Sequence, residues 1–522
     1  MDVQKLKVDT SRFGMDEVTE INRVKLTPAK VALDLGDGSE RGEYVDQDYI
    51  INRLGRPHRN VGLMYTYYPN DKEWPKRSSE AYPEMEVHSQ WEYPYDDYFV
   101  YEGGVGGSHA GKPFDEMRDI RRHGQDVTLT LTIDCGCSDE QLIAIAKDLR
   151  TFGRMRLRIN HECSGRWFTH NQRFSYEEIG AFFVKFHNII KEYAPNVDTI
   201  FCSGFADQEE GRMEQEDAFL EAFRAADVWS SDRYLALHFG WPFDICEDGD
   251  LSYAINPLEG YIKGIDRTVK RLREISDGRK KPFSATEFNT DGDVTGPKCQ
   301  GLGLLKFAKY LKENEPDWNY SMAMYQFRDR GRLGLEMEDP NNPNVGIEQP
   351  LMDDYKVLLN DPFFQPGMSV VDKIYDNSSE RTAGDSETDD ASEKKMVEVG
   401  SIPLRWGSAE DSEGVELKIR LEKTPVFFDI EFPEEMNLMF SVNDKWFYKK
   451  PGVKIIDVMS AFFNKDSKSV VPDEEISMLV FAPPANGENP ETDKEDWAEN
   501  YYTEMKTLPR FRIRYEACGP VR

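Results

Sequence analysis

The sequence predicts an α/β protein, a (β/α)8 TIM barrel followed by a β-rich module whose expected form is a β-sandwich. Three observations lead there. Strand-like and helix-like segments alternate from roughly residue 60 to residue 330, the pattern of a parallel α/β domain. Six to eight such units carry no G-x-G-x-x-G fingerprint, which favours a closed barrel over an open doubly wound sheet. The third is a break in composition: Asp376 to Lys395 reads DNSSERTAGDSETDDASEKK, with no apolar side chain larger than alanine, and so buries nothing. The expected organisation is therefore a catalytic barrel with an N-terminal extension over 1–375, an acidic linker over 376–398 and a β-rich accessory module over 399–522.

In the barrel, Asn60–Tyr68, Asp126–Asp134, Met155–Asn160, Asp198–Phe205 and Asp227–Tyr234 read as strands, being rich in β-branched and aromatic residues. Ser138–Gln141 and Ser175–Glu178 have the capping-box pattern that starts a helix. After Ser175 the apolar residues Ile179, Phe182, Phe183, Phe186 and Ile190 recur at helical spacing. Helices over Tyr261–Ile275 and Leu302–Leu311 lead into strands at Pro282–Phe288 and Tyr320–Phe327. In the last part, Glu416–Glu422, Val426–Glu431, Leu438–Val442, Met478–Ala482 and Arg510–Tyr515 are the expected strands.

Composition narrows the function. Acidic residues outnumber basic ones by 96 to 65, a net charge of −31 that repels nucleic acid and anionic membrane surfaces. Nine Trp and 24 Tyr lean towards a protein that stacks on sugar faces, although core packing explains any single ring. The seven cysteines match neither a disulfide framework nor a zinc pattern, so reduced thiols are expected. With no apolar leader at Met1–Lys7, the expectation is a cytoplasmic protein, or a secreted one whose leader has been removed.

Barrel enzymes place their chemistry where strands end and βα loops begin. Two strand ends offer a glutamate there: Arg156-Leu-Arg158-Ile-Asn160-His161-Glu162, and Thr286-Glu287-Phe288. They lie 125 residues apart, the length of three βα units, so the strands face each other across the barrel mouth. A single such glutamate is usually an ordinary salt-bridged residue; two in this relation point to a pair of catalytic carboxyls. Glycoside hydrolysis uses such pairs, about 5–5.5 Å apart for retention or about 6.5–9.5 Å apart for inversion. A zinc reading of His161-Glu162 fails, because H-E-x-x-H needs histidine where Gly165 stands. The run Gly103–Gly107 lacks the lysine of a phosphate loop and reads as a mobile surface loop.

Arg158-x-x-His161-Glu162-x-x-Gly165-x-Trp167-Phe168 resembles the acid/base signature of family 26 glycoside hydrolases of clan A, the β-mannanases and related β-1,3-xylanases and β-glucanases. Thr286-Glu287-Phe288 resembles the clan's nucleophile strand, and Asp232-Arg-Tyr234 the segment whose tyrosine bonds the nucleophile. One departure is Met324-Tyr325-Gln326-Phe327, where that family usually ends the eighth strand in a tryptophan under the sugar; a sister family of the clan fits equally. The resemblance implies a retaining enzyme acting on a β-linked oligo- or polysaccharide, with Glu162 as general acid/base, Glu287 as nucleophile, and no metal or organic cofactor. Arg158, His161, Trp167, Phe168, Tyr234, Trp91 and Gln326 are the substrate-binding candidates, and Arg158 or Tyr234 is expected to keep Glu287 ionised. Two other readings stay open. One is a non-catalytic carbohydrate-binding barrel. The other is a metal-dependent barrel hydrolase, for which the sequence shows no ligand cluster.

Overall fold

A computed structural model describes residues 5–8, 18–36, 43–71, 99–165, 169–203, 213–236, 252–329, 331–376, 397–400, 402–405, 412–432, 437–462, 474–482, 502–505 and 508–515. Eight parallel strands form a closed barrel: β1 (Ala32–Gly36), β2 (Asn60–Tyr67), β3 (Asp126–Ile133), β4 (Met155–Ile159), β5 (Val197–Cys202), β6 (Val228–Ser230, continued as Arg233–Ala236), β7 (Phe283–Thr290) and β8 (Asn319–Met324). β8 pairs with β1 over Ser321–Met324, which closes the ring. Helices follow the strands: α1 (Gln47–Leu54), α2 (Phe114–Arg122), α3 (Asp139–Leu149), α4 (Tyr176–Tyr193), α5 (Met213–Ala225), α6 (Ser252–Ile275), α7 (Gln300–Asn314) and α8 (Leu351–Leu359). Both expected capping boxes form, with Ser138 and Ser175 accepting from the backbone N–H of Gln141 and Glu178 and those side chains bonding back.

The apolar face of each helix meets the outward residues of the strands. Phe182, Phe183 and Phe186 of α4 share one buried cluster with Met155, Leu157 and Ile159 of β4. That leaves the alternate residues of β4, Arg156 and Arg158, facing the barrel axis. No helix among the described residues is long and apolar enough to cross a membrane.

Outside the barrel, an eight-stranded sheet and a three-stranded sheet (Phe427–Glu431, Ile455–Asp457, Arg510–Arg514) bury a common core containing Leu417, Phe428, Ile430, Phe440 and Phe511. Two strands of the larger sheet come from the part expected to be barrel. Val18–Thr27 pairs on one side with Gly367–Asp376 and on the other with Ser412–Leu421, so both strands lie in this second unit rather than with the barrel. The reason is apolar: Val24 and Leu26 bury against Met439, Trp446 and Phe481, with Ile51 of α1 completing the cluster. Trp446 N–H donates to Gly55 O at 2.7 Å, a further tie between the units. The expected linker lies almost wholly outside the described residues.

The glycine-rich run is anchored at one end: Gly104 N–H donates to the Asp148 carboxylate at 2.8 Å, and Tyr101 and His109 bind the same carboxylate. Gly103 has no room for a side chain, since a Cβ there meets Asp148 Oδ2 at 2.5 Å. Cys135, Cys137, Cys163, Cys202 and Cys299 are free thiols.

Candidate active site

Glu287 and the residues around it come from three parts of the barrel wall, β4 with its loop, β6 and β7. β7 changes register against β8 between Ala285 and Phe288. Such an irregularity breaks the strict in–out alternation. Thr286 and Glu287 therefore both face the interior, while Phe288 joins the apolar layer with Tyr261 and Phe307. The Glu287 side chain is 8% exposed; it accepts two hydrogen bonds and faces one imidazole at ion-pair distance. Arg158 NH2 donates to Oε1 at 2.8 Å and Tyr234 OH donates to Oε2 at 2.7 Å. His161 Nε2 lies 3.0 Å from Oε1.

Burial alone would raise the Glu287 pKa. The facing charges of His161 and Arg158, with the hydrogen bond from Tyr234, overcome it and hold the carboxyl well below the usual carboxylate range. His161 responds in the opposite sense. Burial would lower its pKa, but Glu287 and Asp232 raise it to about 10 against the repulsion of Arg158. His161 is thus a charged partner of Glu287, whereas the sequence suggested a ligand for substrate. Its neighbours decide this, for Nε2 also lies 3.6 Å from Asp232.

Arg158 is fixed from every side. Its Nε donates to Thr130 Oγ1 at 2.7 Å, and NH1 donates to both Asp232 oxygens at 3.0 Å and to Thr286 Oγ1 at 3.1 Å. Asp232, its side chain fully buried, also accepts from Thr286 Oγ1 at 2.6 Å. Asp232 had no role in the sequence reading. The available signal was its place two residues before Tyr234 in the segment Asp232-Arg-Tyr234.

Glu162 follows β4 in a turn that uses two left-handed non-glycine residues, Asn160 (φ 59°) and Glu162 itself (φ 41°). Hydrogen bonds hold this uncommon backbone. Asn160 Oδ1 accepts from Ile133 N–H at 2.7 Å, and Asn171 Nδ2 donates to Glu162 O at 2.8 Å and Gly165 O at 3.0 Å. Glu162 remains partly exposed at the strand's C-terminal end, next in sequence to the histidine that contacts Glu287.

Of the other candidates, Gln326 is 1% exposed, lines the cavity below Glu287 and gives its Nε2–H to Asp329 at 3.1 Å. The preceding Tyr325 stands edge-on to Tyr234, ring centroids 5.9 Å apart. Trp91, Trp167 and Phe168 lie outside the described residues.

Ligand atoms of His161, Asp232 and Glu287 lie within 4.8 Å of one another, so the fold assembles a cluster that the sequence did not show. The three residues are dispersed over the chain, which hides their meeting. The donor set does not fit a metal ion, because the Arg158 guanidinium already bridges Asp232 and Glu287 and would face the ion at close range.

No protein-family model matches the chain, and no curated protein matches it. By structure it is similar to a family 51 α-L-arabinofuranosidase from Bifidobacterium longum, with 11% identity and a TM-score of 0.39 over 92% of this chain and 100% of that one. It is also similar to a modular family 26 endo-β-1,4-mannanase from Cellulomonas fimi, with 12% identity and a TM-score of 0.37 over 87% and 89% of the two chains. The catalytic domain of a family 26 endo-β-1,4-mannanase from Bacillus sp. JAMB-750 gives 12% identity and a TM-score of 0.39 over 64% and 86%.

Proposed function

We propose that the protein is a retaining glycoside hydrolase acting on a β-linked oligo- or polysaccharide, with Glu287 as nucleophile and Glu162 as general acid/base. The observation that carries this reading is the pair of hydrogen bonds on Glu287 from Arg158 and Tyr234, with the His161 ring 3.0 Å away, which supports a carboxylate kept ionised inside a barrel towards a strand's C-terminal end. An ionised, oriented carboxylate is what attack on an anomeric carbon needs.

In the first step Glu287 Oε forms a bond to the anomeric carbon while the glycosidic oxygen leaves with a proton from Glu162. The negative charge of Glu287 is consumed in the glycosyl ester. Glu162, now a carboxylate, takes a proton from water, whose oxygen attacks the anomeric carbon and releases Glu287. Arg158 and His161 serve as fixed counter-charges that stabilise Glu287 as it departs, and Tyr234 orients its second oxygen.

Glu287→Ala should leave only a trace of activity on an aryl glycoside that the wild type cleaves. Azide or formate should partly restore turnover and yield product of inverted configuration, since the small anion attacks from the vacated side. Near-normal activity in the variant would remove Glu287 from the mechanism.

A further inference from the structure

Beneath Glu287 the barrel interior is not filled by the branched apolar layers usual in this architecture. A cavity of about 50 Å³ lies there, bounded by Glu287, Arg158 and Thr130 above and by Arg156, Asp34 and Asn60 below. Gly62 of β2 helps to leave it open, since a Cβ built there meets no atom closer than 3.7 Å.

Charges in the lower half do not balance. Arg59 and Arg156 both turn to Asp34: Arg59 through Nε at 3.3 Å and NH2 at 3.0 Å, Arg156 through NH1 at 3.3 Å. Both guanidinium groups sit 5.0 Å from the centre of the Tyr320 ring, and Arg156 NH2 donates to its hydroxyl at 2.9 Å. Asp126, the next carboxylate to face Arg59, is itself shared by Arg121 and Arg154. In the upper half Arg158 and His161 face Asp232 and Glu287, two against two. Among the described residues Arg59 and Arg156 therefore share the single carboxylate of Asp34, one positive charge more than it neutralises, and a largely desolvated excess charge is costly.

A second observation is independent of charge. Asn60 is 1% exposed, lines the cavity, and its Nδ2 has no hydrogen-bond acceptor among the described residues. Water in the cavity would satisfy this amide but not the arginines. An anion satisfies both. A water-sized occupant needs about 10–15 Å³ by this measure, so the space also admits a halide.

We propose that this cavity binds one small monovalent anion of the halide class, held between Arg156 and the side-chain amide of Asn60. The site adjoins Glu287 on the inner side of the barrel, and its test needs no assumption about the reaction. Its test is thermal unfolding of the full chain in sodium chloride, sodium bromide and sodium gluconate at equal ionic strength. The melting temperature should rise saturably with chloride and bromide and stay flat in gluconate. Wild-type crystals soaked in bromide should show an anomalous peak within hydrogen-bond reach of Asn60 Nδ2 and Arg156. Arg156→Met and Gly62→Val should abolish the halide-specific rise, the second by filling the space while leaving every charge in place. Equal responses to chloride and gluconate in the wild type, or a cavity holding water with no bromide peak, would overturn the proposal. The bromide crystals decide it even if a variant does not fold.

Discussion

Replacing His161 by Gln removes one positive charge from Glu287 while keeping a side chain able to donate. The expected size follows from the geometry. His161 Nε2 stands 3.0 Å from Glu287 Oε1, which puts the centres of charge about 4 Å apart. A pair at that range is worth about 4 kcal/mol at an effective dielectric of about 20, or about 3 pKa units. Arg158 stays in place at 2.8 Å and retains part of the hold, so the expected rise in the Glu287 pKa is about 1–3 units. The direction is fixed, because losing a cation makes the ionised carboxylate less favourable. In the wild type the lowered pKa of Glu287 sets the acidic limb of kcat/KM low. In the variant that limb should move up towards the ordinary carboxylate range. The assay is kcat/KM against pH on an aryl glycoside with a good leaving group, for which proton donation by Glu162 matters least. An acidic limb that does not move in His161→Gln would show that the histidine does not set the charge state of Glu287.

Two further outcomes concern stability. The His161 pKa rises on folding to about 10 from an ordinary value of 6.5, so its pairing contributes fully below 6.5 and is lost as pH rises towards 10; denaturant melts across this window should show that loss, and His161→Gln should flatten it, while an unchanged slope would argue against a charged histidine. Deleting residues 397–522 should not leave an independent barrel, because Val18–Thr27 loses its Ser412–Leu421 partner and Val24, Leu26 and Ile51 lose Trp446 and Phe481; soluble yield and a cooperative melt equal to those of the full chain would refute this.

Much of the barrel was legible because its signals are local. Capping boxes at Ser138 and Ser175 and the phenylalanine stripe of α4 fix helices without reference to the rest of the chain. Strand β1, Ala32–Gly36, is five residues long and escaped notice, as did the role of Val18–Thr27, whose partners lie some 350 to 400 residues away. Pairing at that distance leaves no local trace. In the site, Glu287, Arg158 and Tyr234 could be named because each stands in a short polar motif at a strand end. Asp232 and the contact of His161 with Glu287 could not, since they depend on which side chains meet across the barrel axis. The positively charged lower half is likewise spread over β1, β2, β4 and β8, and Arg156 reads in sequence as a mere neighbour of Arg158.

Covalent trapping puts the proposed nucleophile to the most direct test. Incubation of the wild type with 2-deoxy-2-fluoro glycosides carrying a dinitrophenolate leaving group, over gluco, manno, xylo and galacto configurations, should inactivate it with at least one sugar. Mass spectrometry of a peptic digest should then place the added sugar on the peptide containing Glu287, at that residue and in one-to-one ratio. An adduct on a different carboxylate, or turnover with inverted product and no adduct from any sugar the enzyme cleaves, would contradict retention through Glu287.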